Sequence, residues 1–346
     1  MSRWIDLSEQ ERIAAAQSTA SDKNIEERAV EKDWWVTAVL RALFSTQCGD
    51  YLLFKGGTSI SKGWPIIERF SEDVDLSIGR RFFLEKLGLH YAAAENNTQL
   101  KNLRKASRKY IHGTLSKELD ECLAAMGLSG YAVRNVTEQA VEGGMKPIDA
   151  DSDPTVINVA YDSVFPAYEG DILPVVKIEI SCLSMAEPFE KKQITTLIHD
   201  HYEELDGDLS SVIPTVTPAR TFLEKAFLLN EEFQKDKPRS RRMSRHLYDL
   251  ERLMDTDYGK AALADGELYK AIVEHRRKFY HLGYVDYDKD YPERIDFVPQ
   301  GAVLDAFRQD YVDNMINGYI YGEAKSFDDL LTRMEVLRER FRALGR

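Results

Sequence analysis

The stretch from Leu52 to Ile78, "LLFKGGTSISKGWPIIERFSEDVDLSI", restricts the fold more than any other part of the sequence. Its apolar start ends at a glycine pair, which predicts a buried strand followed by a turn. Ser59 can cap a helix after that turn. From Asp73 onward, polar and apolar residues alternate as they do along a strand. The sequence therefore predicts two strands joined by a glycine turn and a short helix.

The second of these strands carries two aspartates. The alternation places Asp73 and Asp75 on one face and the apolar residues between them on the other. Two carboxylates roughly 6 to 7 Å apart along a strand repel each other by about 2 to 3 kcal/mol at an effective dielectric near 20. A divalent cation such as Mg²⁺ prefers carboxylate oxygens and would offset that repulsion. Taken alone, however, an aspartate pair is more often a solvated strand face than a metal site.

The glycine turn suggests an anion site. Gly56 and Gly57 let the backbone approach a ligand closely and direct N–H groups at it. Thr58 and Ser59 add hydroxyl donors at a predicted helix N-terminus, which favours anions. Taken alone, these four residues are equally typical of a plain turn. The order strand, GGTS, helix, then DVD on the next strand is more specific, and it predicts metal-assisted phosphoryl or nucleotidyl transfer.

A third carboxylate is available from the later segment "VVKIEIS". Its alternation directs Val176, Ile178 and Ile180 to a core face, and it places Lys177 and Glu179 together on the opposite face. If this strand neighbours the aspartate strand, Glu179 lies beside Asp73 and Asp75. The three carboxylates would then form a site for divalent metal ions.

The rest of the chain predicts an α+β class with three parts. A helical arm covers residues 1–46, and a core with a mixed sheet and flanking helices covers 47–216, including strand candidates at 131–141, 153–165 and 172–184. Strand signals end at Thr217, which can cap a helix whose first residue is proline. A helical C-terminal domain follows over 217–346, with helices expected near 239–254, 267–281, 300–321 and 327–344.

Composition limits the classes of partner. The formal net charge of -12 disfavours general binding of nucleic acid, so any RNA contact would need a local basic patch. Two candidates are 235–246 and 101–117, each of which is equally typical of a solvated basic surface. The three cysteines lie far apart and favour neither a disulfide framework nor a zinc site. We find no signal peptide and no membrane span, and we expect a cytoplasmic protein.

The motifs resemble a known family. "FKGGTSISKGW" followed by "RFSEDVDLSI" is similar to the signature of nucleotidyltransferase toxins of the AbiEii/AbiGii type, within the DNA polymerase beta-like superfamily. "VEKDWWVTAVLRALF" (30–44) resembles the family's acidic-aromatic helix, "TPARTFLEKAFLLNEEF" (217–233) its lysine helix, and "SRHLYDLERLM" (244–254) its late aspartate motif. The resemblance spans about residues 30 to 254 and implies a polymerase-beta-like catalytic core.

The resemblance also implies residue roles. It implies that Asp73, Asp75 and Glu179 hold Mg²⁺, with Mn²⁺ as the alternative, and that Lys225 contacts the triphosphate of an NTP. Asp249 matches the late aspartate of the catalytic set. The remaining implied nucleotide-binding residues are Gly56, Gly57, Thr58 and Ser59, with Lys62, Arg69 and Lys177 as second-tier phosphate or positioning groups. The chain departs from the family pattern at Leu228, where some members carry an aspartate.

By the same resemblance, the protein would be the toxin of a type IV, abortive-infection-like toxin–antitoxin system that acts in phage defence. It would transfer a nucleoside monophosphate to an acceptor, with the 3′ end of tRNA as the leading candidate, and release pyrophosphate. Its antitoxin would be separately encoded, as a winged-helix protein. Two alternatives remain open from the residues: transfer to a protein or small-molecule hydroxyl, and a nucleotide-binding module without catalysis.

Overall fold

A computed structural model describes residues 2–94, 96–141, 143–166 and 172–345 of the chain. Its internal contacts separate two units. Unit 1 comprises residues 1–63 and 72–215, and unit 2 comprises residues 64–71 and 216–346. Residues 1–46, predicted as a separate arm, thus belong to unit 1. Residues 64–71, which connect the predicted glycine-turn helix to the aspartate strand, belong to unit 2.

Unit 1 combines helices with a mixed sheet. Its helices are α1 (Glu9–Lys23), α2 (Glu27–Phe44), α3 (Gly56–Gly63), α4 (Arg80–Glu85), α5 (Asn97–Tyr110), α6 (Ser116–Ala125) and α7 (Leu197–His201). A π-helical turn over Ile111–Leu115 joins α5 to α6. Its strands are β1 (Leu52–Lys55), β2 (Val74–Ile78), β3 (Tyr131–Asn135), β4 (Glu138–Val141), β5 (Gly144–Pro147), β6 (Thr155–Tyr161), β7 (Val175–Ser181), β8 (Phe189–Ile194) and β9 (Ser211–Val216).

Seven of these strands form one sheet, in the order β3-β6-β7-β2-β1-β9-β8, while β4 and β5 form a separate two-stranded sheet. Strand β2 pairs antiparallel with β1 and parallel with β7, so the sheet is mixed. Both neighbours of β2 are internal strands. The two aspartates predicted from the sequence therefore lie on or beside a central strand whose register is fixed from both sides.

Helix α2 supplies much of the core of unit 1. Its Trp34 and Trp35 are completely buried, and Trp35 stacks on Tyr161 of β6 with ring centroids 5.0 Å apart. Two buried charges of α2 also make ion pairs. Lys32 Nζ lies 2.6 Å from Glu72 Oε2, just before β2, and the carboxylate of Asp33 accepts a hydrogen bond from Lys62 in α3. These pairs attach α3 and the start of β2 to the same helix.

Unit 2 is helical. Its helices are α8 (Pro218–Glu232), α9 (Ser244–Leu253), α10 (Asp257–Ala264), α11 (Gly266–His275), α12 (Ala302–Asp310) and α13 (Phe327–Arg342). Helices α11 and α12 continue into π-helical turns over Arg276–Tyr280 and Tyr311–Tyr319. The side chain of Thr217 caps α8, and Pro218 stands at its first position, as the sequence predicts. Among the described residues, none of the helices has the length and apolar character needed to cross a membrane.

A buried ion pair joins α8 to the turn after α11. Arg276 donates to both carboxylate oxygens of Glu231, at 2.6 and 2.5 Å. Asp290 lies nearby, completely buried, with Oδ1 accepting a hydrogen bond from Asn230. Burial, and then the negative charge of Glu231, raise the pKa of Asp290 to about 7. The Arg276 guanidinium is therefore the cation that offsets two neighbouring acidic side chains.

The predicted α+β class is confirmed, with a mixed sheet and helices in unit 1 and a helical unit 2. Several details differ from the sequence prediction, including strand β5, which was not predicted. Helix α3 begins at Gly56 rather than after a cap at Ser59, so Ser59 lies in its first turn. The single strand expected over 131–141 is divided between β3 and β4. Strand β8 was not predicted, because its charged residues give it no apolar alternation.

We predict that Arg276→Met destabilises the protein by about 3 to 5 kcal/mol, because removal of one partner leaves a buried carboxylate without its cation. Arg277→Met is a matched control, since the neighbouring Arg277 pairs with Asp288 on the surface. The control should change stability by no more than about 1 kcal/mol. Urea unfolding measures both. Equal losses for the two variants would contradict this account of the buried pair.

Candidate active site

The register of β2 and β7 places the predicted carboxylates together. Asp75 lies directly opposite Glu179 in this parallel pair, where neighbouring strands are roughly 4.8 Å apart. Asp73 lies one residue before β2. The residues between these acids, Val74, Leu76, Ile178 and Ile180, are completely buried on the other face. The expectation that a neighbouring strand brings Glu179 beside the aspartates is therefore met in the backbone.

Lys177 lies on the same face as the carboxylates, two residues before Glu179, and forms an ion pair with it. Burial alone would lower the pKa of Lys177. The negative charges of Glu179, and then of Asp73 and Asp75, outweigh burial and raise it. Within the described part of the chain, no three His, Cys, Asp or Glu side chains are grouped so that they could hold a metal ion. The ammonium of Lys177 is the cation that this acidic face attracts.

The residue types on this face are nevertheless those that a hard divalent cation takes as ligands. Three carboxylates lie at adjacent positions of one sheet face, and carboxylate oxygen is the ligand that Mg²⁺ and Mn²⁺ take. The raised pKa of Lys177 shows that a positive charge is stabilised at this face. The metal role of Asp73, Asp75 and Glu179 stays a prediction.

The glycine turn lies directly against the acidic face. Gly56 has φ +80°, in the left-handed region, and a Cβ at this position would collide with Oδ2 of Asp75. Thr58 Oγ1 donates to the backbone carbonyl of Asp73 at 2.5 Å. The start of α3 and the aspartates are thus joined by a close backbone approach and a hydrogen bond. Only glycine fits that approach, because any side chain would meet the Asp75 carboxylate.

Some predicted nucleotide-binding side chains already have partners inside unit 1. Ser59 Oγ donates to the carbonyl of Gly56 at 2.9 Å, and Thr58 Oγ1 donates to Asp73 as described above. Lys62 Nζ lies 2.5 Å from Asp33 Oδ1 in a buried ion pair. The side chains of Thr58, Ser59 and Lys62 are therefore engaged within unit 1.

The remaining predicted residues form a cluster in unit 2. Arg69 Nε and Nη2 donate to Asp249 Oδ1 and Oδ2 at 2.6 and 2.7 Å. Lys225 Nζ lies 2.8 Å from the same Oδ2. Asp249 is 0% exposed, Arg69 3% and Lys225 6%. The sequence named Lys225 as a triphosphate contact, and it named Arg69 and Asp249 separately, whereas the structure joins the three residues in one ion-pair network.

The charges of this network explain its pKa shifts. Burial would raise the pKa of Asp249, but the Arg69 guanidinium and the Lys225 ammonium hold it well below its usual range. The pKa of Lys225 is lowered, chiefly by burial. Asp249 opposes that shift, while Arg69 and Arg245 reinforce it.

Two further side chains lie beside these clusters, and sequence reasoning did not include either in the predicted site. The side chain of His246 lies near Lys225 and Arg245, and its Nδ1 is buried with no hydrogen-bond partner among the described residues. Burial, and then those two cations, lower its pKa well below the usual range, so the ring is neutral. Asn158 of β6 lies opposite Lys177 on the acidic face. The only sequence signal for Asn158 is its polar position between Ile157 and Val159.

A family model described as "Nucleotidyl transferase AbiEii toxin, Type IV TA system" matches residues 38–333. Among solved structures, the chain is similar to MenT4, a nucleotidyltransferase toxin from Mycobacterium tuberculosis H37Rv, with 16% sequence identity and a TM-score of 0.43. That match covers 95% of this chain and 89% of MenT4. A likeness of this degree supports no argument about fold or function. None of the curated proteins matches the chain.

We predict that Gly56→Ala destabilises unit 1 by about 1 to 3 kcal/mol and displaces the Asp75 carboxylate, because alanine must adopt a left-handed φ and collides with that carboxylate. Gly113→Ala is a matched control, since a Cβ there meets nothing within 4 Å. Urea unfolding measures the loss, and the control should stay within about 0.5 kcal/mol of wild type or gain stability. Wild-type stability of Gly56→Ala would contradict the close approach.

Proposed function

The chain belongs to the AbiEii family of nucleotidyltransferase toxins of type IV toxin–antitoxin systems, and from that membership we propose the reaction that it catalyses. The protein transfers a nucleoside monophosphate from an NTP to a hydroxyl of an RNA acceptor and releases pyrophosphate. The enzyme class predicted from the sequence, nucleotidyltransferase, is confirmed by the family. Beyond that class, we propose which group is transferred, which acceptor receives it and which metal ion assists.

One observation carries the proposal: Asp75 and Glu179 lie opposite each other on adjacent strands, beside Asp73 and against the glycine turn. Carboxylates at this position would repel a triphosphate unless a cation lies between them. Asp73, Asp75 and Glu179 would hold Mg²⁺, or Mn²⁺ in its place. When bound, the metal supplies positive charge to the phosphates of the NTP.

The protein groups around these acids orient the NTP. The backbone N–H groups of Gly56, Gly57, Thr58 and Ser59, at the start of α3, bind the β and γ phosphates. An acceptor hydroxyl oxygen attacks the α phosphorus, and the bond from that phosphorus to the bridging oxygen of the β phosphate breaks. Pyrophosphate leaves with the electron pair, and a carboxylate of the three takes up the hydroxyl proton. Lys225 offsets the charge on the leaving pyrophosphate.

An RNA acceptor is supported by helix α5. Lys101, Lys105 and Lys109 are all exposed and recur every fourth residue, so they form a basic stripe on one face. Such a stripe offers phosphates a local site on a chain of net charge -12. The basic patch over 235–246 offers less positive charge to RNA phosphates, because Lys235 and Arg239 both pair with Glu232. We therefore propose that patch 101–117 contributes more to RNA binding, with the tRNA 3′ end as the acceptor.

The family implies an antitoxin partner. We propose that it is separately encoded as a winged-helix protein, and that the pair acts in the cytoplasm in phage defence. Coexpression tests this part of the proposal: a neighbouring winged-helix gene should restore growth to cells that express the toxin. Continued growth arrest in its presence would contradict the assignment of that antitoxin.

The reaction is tested by incubating the protein with each α-³²P-labelled NTP, Mg²⁺ and total RNA. We expect wild type to transfer label and Asp75→Asn to lose at least about a hundredfold in rate, because several kcal/mol of charge stabilisation depend on that carboxylate. Asp50→Asn, an exposed aspartate before β1, is the matched control and should transfer as wild type does.

Digestion of the labelled product identifies the acceptor. Label released by RNase supports the RNA acceptor, whereas label released only by protease, or found on a small molecule, would replace it with the corresponding hydroxyl. No transfer by wild type, or equal transfer by Asp75→Asn, would contradict the proposed reaction. If wild type transfers no label, a nucleotide-binding module without catalysis is favoured.

A further inference from the structure

Every guanidinium nitrogen of Arg69 donates a hydrogen bond within the protein. Its Nε and Nη2 donate to the two oxygens of Asp249, and its Nη1 donates to the carbonyl of Phe70 at 3.1 Å. The guanidinium is 3% exposed. The Nε–Nη2 edge, which could hold a phosphate by two parallel hydrogen bonds, is thus occupied by Asp249. The phosphate role that the sequence suggested for Arg69 therefore needs another explanation.

Asp249 is equally enclosed. Both of its oxygens accept from Arg69, and Oδ2 also accepts from Lys225, so its hydrogen bonds come from two cations of the protein. It is 0% exposed. A planar guanidinium that donates two parallel hydrogen bonds fixes a carboxylate in position and orientation, which a single ammonium does not do. Asp249 is thus a fixed group that the substrate does not touch.

Lys225 receives only a share of that carboxylate. The positive charges of Arg69 and Arg245 both act against its ammonium, and Asp249 is the acidic group that favours it. Arg69 and Lys225 therefore share one carboxylate. The ammonium is held at one place by Asp249 while its charge remains incompletely neutralised. An anion such as a triphosphate would complete the neutralisation.

We propose that Arg69 and Asp249 are positioning residues that act through Lys225: Arg69 fixes Asp249, and Asp249 fixes the Lys225 ammonium where it binds the triphosphate. This inference rests on the proposed function, in which Lys225 contacts the NTP. It removes Asp249 from the groups that touch substrate, and it gives Arg69 a role that requires no phosphate contact.

The chain provides a control for a purely structural role. Arg252 of α9 donates to Glu68 Oε2 at 2.8 Å, so this ion pair joins the same two segments, 64–71 and α9, as the pair of Arg69 and Asp249 does. Among the described residues, neither Arg252 nor Glu68 makes a hydrogen bond or ion pair with Lys225. If the only function of Arg69 were to attach segment 64–71, then Arg252→Gln and Arg69→Gln would have similar effects.

The first experiment needs no catalytic activity. The Lys225 ammonium is titrated by two-dimensional NMR of protein labelled at lysine Cε, with Lys225→Met identifying the signal. We expect its pKa in wild type to lie below that of the surface lysines. In Arg69→Gln the pKa of Lys225 should rise, because one repelling cation is removed and Asp249 then pairs with Lys225 alone. In Arg252→Gln it should remain as in wild type. The charged or titratable neighbours of Lys225 are Arg69 from segment 64–71 and Arg245, His246 and Asp249 from α9.

The second experiment is a double-mutant cycle in the transfer assay. We expect Arg69→Gln to raise the KM for NTP about tenfold, since a charged hydrogen-bond network is lost. In an Asp249→Asn background, Arg69→Gln should add less than about a twofold change, because the residue through which it acts is already altered. If Arg69→Gln does not fold, Arg69→Lys replaces it. This variant keeps the positive charge but loses the two parallel hydrogen bonds to Asp249, so it should fold and give an intermediate KM.

Additive effects of Arg69→Gln and Asp249→Asn on KM would overturn the proposal and restore Arg69 as a direct phosphate ligand. An unchanged Lys225 pKa in Arg69→Gln would overturn it as well. The two proposals fail in different ways. Absence of transfer by wild type contradicts the proposed function, whereas the NMR titration still decides whether Arg69 and Asp249 position Lys225.

Discussion

The parallel pairing of β2 with β7 is the interaction on which the candidate site depends. Its register places Asp75 opposite Glu179, and the apolar residues on the other face hold that register, because a slip of one residue would bury the acids and expose the core. The same pairing determines what the glycine turn contacts, since Gly56 lies against the Asp75 carboxylate of β2. The acidic face and the backbone that we propose binds the phosphates are thus parts of one local arrangement within unit 1.

Periodicity predicted the elements that build this arrangement. The alternations around Asp75 and Glu179 indicated strands, and the same alternations correctly divided core residues from polar ones. Strand β8 escaped prediction for a physical reason: it is the last strand of the sheet, and it carries Glu190, Lys191 and Lys192. Charged residues suit an edge strand, since they discourage pairing with other chains, but they remove the apolar pattern by which strands are recognised.

The types of residue at the site could be predicted, whereas their partners could not. Arg69 and Asp249 are 180 residues apart in sequence, and their pairing requires the folded unit 2. Lys62 illustrates the same limit, because the buried carboxylate that it meets comes from α2. A motif indicates that a cation or hydroxyl is present, but the packing of distant elements decides whether it faces a ligand or another side chain. The sequence therefore assigned to substrate contact several groups that the structure shows in internal hydrogen bonds.

The central claim is that Asp73, Asp75 and Glu179 form one divalent-metal site. Electron paramagnetic resonance of Mn²⁺ in the presence of NTP tests it most directly, because bound and free ions give distinct signals and no transfer is required. We expect Glu179→Gln to weaken Mn²⁺ binding at least about tenfold, as Asp75→Asn does, since each removes a carboxylate ligand. Exposed Asp50→Asn should bind as wild type does. Wild-type binding by Glu179→Gln would contradict the claim that β7 completes the site.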